Sequence, residues 1–234
     1  MGASKKVKYW IIAASIAGIC TLVLVAGRLL GWWGLFTIRS PSQMPELVPG
    51  TMIIGGNLQA ATTGRFVLFR VHDEVEQQQA IYLFRCVAQE GDTVQLRSGR
   101  CYVNGRMIDD SSKIWLTYEL ETERPLELLE AYGDRNDQIF PGERLSVPLS
   151  PVEAAALRRR LTKFESLKLQ DYPLRAETSW LARIDSSASI NDCNAFVIPA
   201  RHLFVLGANR HNARDSRFTG PIHQDSVVGV TYFR

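Results

Sequence analysis

Ser40-Pro-Ser-Gln-Met-Pro-Glu-Leu47 is the stretch that decides how this chain of 234 residues is read. Two serines stand on a segment interrupted by Pro41 and Pro45, so the backbone there is extended or turning rather than helical. Taken alone, a serine beside a proline is a turn or cap residue far more often than a nucleophile. The surroundings change that weight. An uncharged run lies just upstream, and far downstream the box Gly207-Ala-Asn-Arg-His-Asn-Ala-Arg-Asp-Ser-Arg217 gathers amide, carboxylate and guanidinium groups.

Working outward, Tyr9 to Gly27 is a run of 19 residues without a formal charge. At 1.5 Å per residue it spans about 28 Å, close to the hydrocarbon thickness of a bilayer. Lys5, Lys6 and Lys8 precede it, and Trp32, Trp33 and Phe36 follow where an interfacial aromatic belt lies. The run is long for the core of a cleaved signal peptide, and no small-x-small site follows it. Residues 9–30 are therefore predicted to be a single transmembrane anchor in the lipid bilayer. The positive-inside bias makes residues 1–8 a cytoplasmic tail and puts the main body outside, with Arg28 arguing mildly the other way.

Residues 1–30 carry four basic side chains and no acid, while the whole chain is +3, which leaves −1 for the remainder. A near-neutral body has no electrostatic footprint for nucleic acid, and that class of partner drops out. Cys20 lies inside the apolar run, which leaves Cys86, Cys101 and Cys193 outside, an odd number that makes no disulfide scaffold. A Cys86–Cys101 pair and unpaired buried thiols both remain open.

After the anchor the texture is β, then α+β, then β again. Thr51–Ile54, Arg65–Val71, Ala80–Val87, Asp92–Leu96 and Cys101–Gly105 read as strands rich in branched and aromatic residues, the last ending in an Asn-Gly turn signal. Trp115–Glu121 and Glu143–Leu149 are predicted strands, and Pro125–Tyr132 a short helix. Ser150-Pro-Val-Glu153 carries a capping box opening a helix to about Phe164, with Val152, Ala155, Ala156 and Leu157 on one side and a solvated Arg158–Arg160 on the other. Ala195–Ala200, Leu203–Leu206 and Val227–Phe233 return to strand texture.

The serine box, Tyr82-Leu-Phe-Arg-Cys-Val87, Gln89-Glu-Gly-Asp-Thr-Val94, Cys101-Tyr-Val-Asn-Gly105 and the polar box running on to Gly220 follow one N-terminal anchor in a set order. In order and spacing they resemble the type I signal peptidases, serine endopeptidases built on a Ser/Lys dyad. The resemblance covers the anchor, residues 38–106 and residues 196–231. It implies a mainly β fold, with a signal-peptidase-like β core in two parts, residues 38–108 and 196–234, around a small α+β insertion at 109–195. It implies a bacterial inner membrane protein with its main domain on the periplasmic or extracellular side, acting on signal peptides of exported preproteins, with no cofactor and no metal.

Carried over by residue, the resemblance makes Ser42 the nucleophile. The Ser42 backbone N–H and the Ser40 hydroxyl become the oxyanion hole, where donors meet the charge developing on the attacked carbonyl. Arg85, Asp215 and Arg217 become a charged brace behind the site. Substrate would add as an extended strand beside residues 80–86, along a groove formed by Met44, Tyr82 and Leu83, with small pockets selecting Ala-x-Ala ends.

The departures bear on chemistry. Where the family carries its general-base lysine this chain has Phe84, and where it carries the serine that holds that lysine it has Ala213. A seryl hydroxyl is a poor nucleophile until a neighbour takes its proton, and a benzyl ring has no lone pair. The expectation is weak or lost catalysis, in a protein that holds signal peptides or partners an active paralogue or the secretion machinery. The alternative is an active endopeptidase with an unconventional base. Lys113, where the core hands over to the insertion, and His211, otherwise read as a solvated loop residue, are the candidates.

Overall fold

The computed structural model describes residues 2–73, 78–124, 127, 130 and 145–232. A helix covers Gly2–Leu29, and within it Val7–Leu29 is long and apolar enough to cross a membrane. It stops where Gly31 takes a positive φ of 74° and the Trp32 N–H returns to the Gly27 carbonyl.

β1 (Gly34–Thr37) and β2 (Met52–Gly56) bracket the serine segment and pair antiparallel, Leu35 opposite Ile54 and Thr37 opposite Met52. β3 (Phe66–Asp73) and β4 (Gln78–Gln89) pair from Phe66–Arg85 out to Asp73–Gln78. β5 (Thr93–Arg97), β6 (Arg100–Val103) and β7 (Arg106–Met107) are joined by tight turns. The Asn104-Gly105 turn has φ of 50° and 76°, the left-handed geometry that an Asn-Gly pair accepts and a two-residue hairpin requires.

β8 (Leu116–Glu121), β9 (Leu145–Leu149) and β10 (Ser166–Leu169) form a separate three-stranded sheet in the order β10-β8-β9. β11 (Cys193–Val197), β12 (His202–Leu206), β13 (Ile222–His223) and β14 (Val227–Thr231) complete the chain. They join a seven-stranded sheet, β1-β2-β14-β3-β4-β12-β13, and a four-stranded one, β11-β5-β6-β7. The protein is thus mainly β, with one N-terminal apolar helix.

Buried side chains fall into clusters that follow these sheets. Val94, Leu96 and Cys101 pack with Phe204 and Leu206; Leu116, Tyr118 and Leu120 pack with Val147, Leu149 and Leu157; Val67, Phe69 and Phe84 pack with Leu203, Val205 and Ala213. Each strand read from the sequence has its counterpart, with ends moved by a few residues, and the expected end at Phe233 lies outside the described residues.

One expectation is corrected. The helix opened by Ser150 ends at Arg158, well short of Phe164, and buries Pro151, Ala154 and Leu157, leaving Val152, Ala155 and Ala156 exposed. At eight residues it is only about two turns long, so the burying stripe is set by i, i+3 and i+6 from the proline. Of the two thiol states left open by the sequence, the structure has the unpaired one: all four cysteines are free thiols. Burial pushes the Cys86 thiol up to about 12 and Cys193 to about 11, so both stay protonated. The helix expected at Pro125–Tyr132 falls, apart from single positions, outside the described residues, as does the start of the strand expected from Glu143.

Candidate active site

Pro41–Gln43 is a single 3-10 turn with proline at its first position and Ser40 as its N-cap. The Ser42 N–H donates to the Ser40 hydroxyl oxygen at 3.2 Å. The two groups assigned to an oxyanion hole therefore face each other. Ser42 is buried, and its hydroxyl has no hydrogen-bond partner among the described residues.

The turn is tied down from two sides. The Asn209 N–H donates to the Ser42 carbonyl at 3.0 Å, and the Asn209 side-chain amide donates to the Pro41 carbonyl at 3.4 Å. From the other side the Gln43 amide donates to the Leu83 carbonyl of β4 at 3.1 Å. The serine box, β4 and the polar box are thus brought to one place.

Gly207 locates the centre of that meeting. A Cβ built there would lie 2.3 Å from the Ala213 Cβ, 2.8 Å from the Ser42 carbonyl oxygen and 3.3 Å from Cε1 of Phe84. Only glycine lets these groups close in. Phe84 is 4% exposed, with its ring against Phe69 and Tyr82 at centroid separations of 6.1 Å each. An aromatic ring and a methyl group therefore fill the space beside the serine backbone.

β4 also provides an open edge. β3 pairs with it along residues 78–85, whereas β12 covers its other side only over Arg85–Gln89. Tyr82 and Leu83 lie past the end of β12, and Met44, partly buried, follows the serine turn nearby. Among the described residues, no strand pairs with β4 on that side before Arg85.

A family model described as "Signal peptidase, peptidase S26" matches residues 8–234. The chain belongs to the signal peptidase family. The Signal peptidase IB of Staphylococcus aureus strain COL is 23% identical over 234 residues, covering 98% of this chain and 90% of that protein. The Signal peptidase IB of strain N315 is 24% identical over the same span and coverage. A signal peptidase I crystal structure from Enterococcus faecalis V583 has 17% identity and a TM-score of 0.35, covering 74% of this chain and 98% of that one.

A buried charged cluster lies behind Gly207. Asp215 takes two bonds from the Arg217 guanidinium, both at 2.9 Å, one from the Arg217 backbone N–H at 3.2 Å, and accepts the Gly207 N–H at 2.9 Å. Arg217 also donates to the Ile190 carbonyl at 3.2 Å and to the Arg210 carbonyl. Arg210 pairs with Asp109 and donates to the Gly207 carbonyl; both members of each pair are buried. The Arg217–Asp215 pair is bidentate, whereas Arg210 meets Asp109 through one nitrogen and its buried Nε has no partner among the described residues. Arg85 is not part of this cluster. It pairs with Glu46 of the serine box, donates to the Gly64 carbonyl and lies over the Phe66 ring at 4.1 Å. Neighbours on a strand point to opposite faces, so a residue next to Phe84 is directed away from the Phe84 side.

Both alternative bases have partners elsewhere. His211 is no solvated loop residue: its Nδ1 accepts the Thr117 N–H at 3.1 Å, and its Nε2 donates to the Asn191 side-chain oxygen at 2.8 Å. Burial, then the nearby Arg217 and Arg210, push it down to about 3. Its one lone pair is already used. Lys113 lies 3.7 Å from Asp110 and is mostly exposed. A cavity of about 250 Å³ lined by Glu46, Arg85, Asp109, Lys113 and Arg210 does not reach Ser42 or Phe84.

Gln43, Glu46, Asn209, Arg210 and Asp109 escaped the sequence reading. The first four stand inside the quoted boxes, so proximity to Ser42 and Gly207 was the available signal. Asp109 sits at the boundary of the insertion, with no pattern around it.

Proposed function

We propose that this chain is a membrane-anchored signal-peptide-binding member of the family in which hydrolysis is weak or lost. Signal-peptide processing is the family's role, and the open edge of β4 beside Ser42 supports an extended peptide ending in Ala-x-Ala as the ligand. In this reading Met44, Tyr82 and Leu83 line the groove. Residues 1–8 face the cytoplasm, 9–30 span the bacterial inner membrane, and the core segments 38–108 and 196–234 with the insertion 109–195 lie on the outer side. An active paralogue or the secretion machinery is the natural partner of a protein that holds signal peptides without cutting them.

The observation that carries the reading is the convergence of Phe84, Ala213 and the Ser42 backbone around Gly207. Neither the Phe84 ring nor the Ala213 methyl can accept the Ser42 proton, and a positioned base contributes about 10²- to 10⁴-fold in rate. The full chain in detergent, offered a preprotein with an Ala-x-Ala site, is expected to release no mature product above the level of Ser42→Ala. Phe84→Lys with Ala213→Ser is expected to raise turnover by at least about 10²-fold, because the apolar cluster lowers the pKa of a buried lysine while the new hydroxyl can hold it. Robust wild-type cleavage that Ser42→Ala abolishes would overturn the loss of hydrolysis.

A further inference from the structure

Gln43 follows the serine directly and is 1% exposed. Its Nε2 donates to the Leu83 carbonyl at 3.1 Å, while its Oε1 is buried without a partner among the described residues. An amide held by one end, with the other left unsatisfied, is not in its best environment. Leu83 is where an added strand would bind. In β4 the Cys86 N–H and carbonyl are spent on Arg65 and Gly64, on the β3 side. Backbone groups alternate along a strand, so those of Leu83 and Ile81 point to the opposite edge, past the end of β12. The Gln43 amide hydrogen thus stands where the N–H of an incoming peptide would donate.

We propose that Gln43 is a latch on the peptide site: its carboxamide holds the Leu83 carbonyl in the empty protein, and a bound extended segment displaces it and takes that carbonyl with its own backbone N–H. This rests on the reading of the groove as a signal-peptide site. It makes Gln43 a residue that sets the affinity threshold of the site, and its unsatisfied oxygen makes it easy to displace. Methionine has a similar length and no donor, so Gln43→Met leaves Leu83 open without emptying the space.

The test is anisotropy of a fluorescent peptide ending in Ala-x-Ala, titrated with the full chain in detergent. Gln43→Met is expected to bind about three- to tenfold tighter than wild type, the worth of one hydrogen bond. N-methylation of a single backbone amide of the peptide should erase that gain, which a general loosening of the turn would not do. Equal or weaker binding by a Gln43→Met protein with unchanged circular dichroism overturns the latch and leaves the peptide site standing. If neither protein binds the peptide, the reading of the groove falls, and the latch with it. Should Gln43→Met fail to fold, NMR of the wild type labelled with 15N-glutamine decides. The Gln43 side-chain signals must move when peptide is added, and a fixed position under saturation overturns the proposal.

Discussion

A serine hydroxyl ionises only if something beside it accepts the proton, and neither of the side chains that meet the Ser42 carbonyl at Gly207, those of Ala213 and Phe84, can do so. Crowding there gives a direct prediction. Gly207→Ala would put a methyl 2.3 Å from the Ala213 Cβ and 2.8 Å from backbone oxygen, where no side-chain rotation gives relief. It is expected to destabilise by about 1–3 kcal/mol, read as a lower thermal midpoint of the full chain in detergent. His211 gives a second. Its ring is neutral when folded and has an ordinary value of 6.5 when unfolded. Between those limits the unfolded chain binds the extra proton, so stability falls as pH drops from about 6.5 toward 3, by at most about 1.4 kcal/mol per unit. His211→Gln should flatten the midpoint against pH between 6.5 and 5.5, above the carboxylate range; an unchanged slope would show the ring is not the group responsible. Ser42, Phe84 and Ala213 were legible because contiguous boxes carry them. The partner of Arg85 was not, since an ion pair between Glu46 and Arg85 depends on which face of β4 each neighbour presents.

At the scale of elements, strands were legible because their branched and aromatic runs declare themselves between glycine turns, and the Asn104-Gly105 turn states its own geometry. The end of the Ser150 helix was not. Its capping box names the start, with the Ser150 hydroxyl accepting the Glu153 N–H at 3.2 Å and Glu153 accepting the Ser150 N–H at 2.8 Å. Its stop at Arg158 is set elsewhere. Glu165 accepts from Arg124, Thr122 and the Thr162 N–H, which fixes the chain just beyond the helix for its entry into β10. A contact across that distance leaves no local trace. Ser150→Ala removes the cap acceptor from a helix with few other supports, and is expected to cost about 1 kcal/mol. Leu157→Ala, emptying a fully buried position in the insertion core, should cost about 2–5 kcal/mol. Comparable losses from the two variants in denaturant titration would contradict this, because a cap and a core side chain act through different magnitudes.

Over the whole molecule, the issue is how the apolar helix is joined to the sheet that presents the serine. The last carbonyls of the helix take N–H groups from the turn that follows, Ala26 from Leu30, Gly27 from Trp32 and Arg28 from Gly31, and the folded body bonds the carbonyls just beyond. Asn57 donates its backbone N–H to the Gly31 carbonyl at 2.9 Å and its side-chain amide to the Leu30 carbonyl at 3.0 Å. The Tyr232 hydroxyl, from the far end of the chain, donates to the Trp32 carbonyl. Trp33 folds back to donate from its ring to the Leu24 carbonyl at 3.1 Å. β1 begins at Gly34, and the Ile38 N–H is held by the Thr51 carbonyl at 2.9 Å, so the path from helix to serine turn is bonded at each step. Such a junction sets how the serine turn stands relative to the helix. Asn57→Ala with Tyr232→Phe removes two of these donors while leaving the core intact. Each hydrogen bond contributes roughly 0.5–1.5 kcal/mol, so local opening of the junction should become about tenfold more frequent. Trypsin reads this directly in detergent, because Arg28 and Arg39 flank the junction and both are exposed. Cleavage after either arginine is expected to accelerate by that factor while the global unfolding midpoint moves little; an unchanged rate would mean that β1 and β2 alone hold the serine in place.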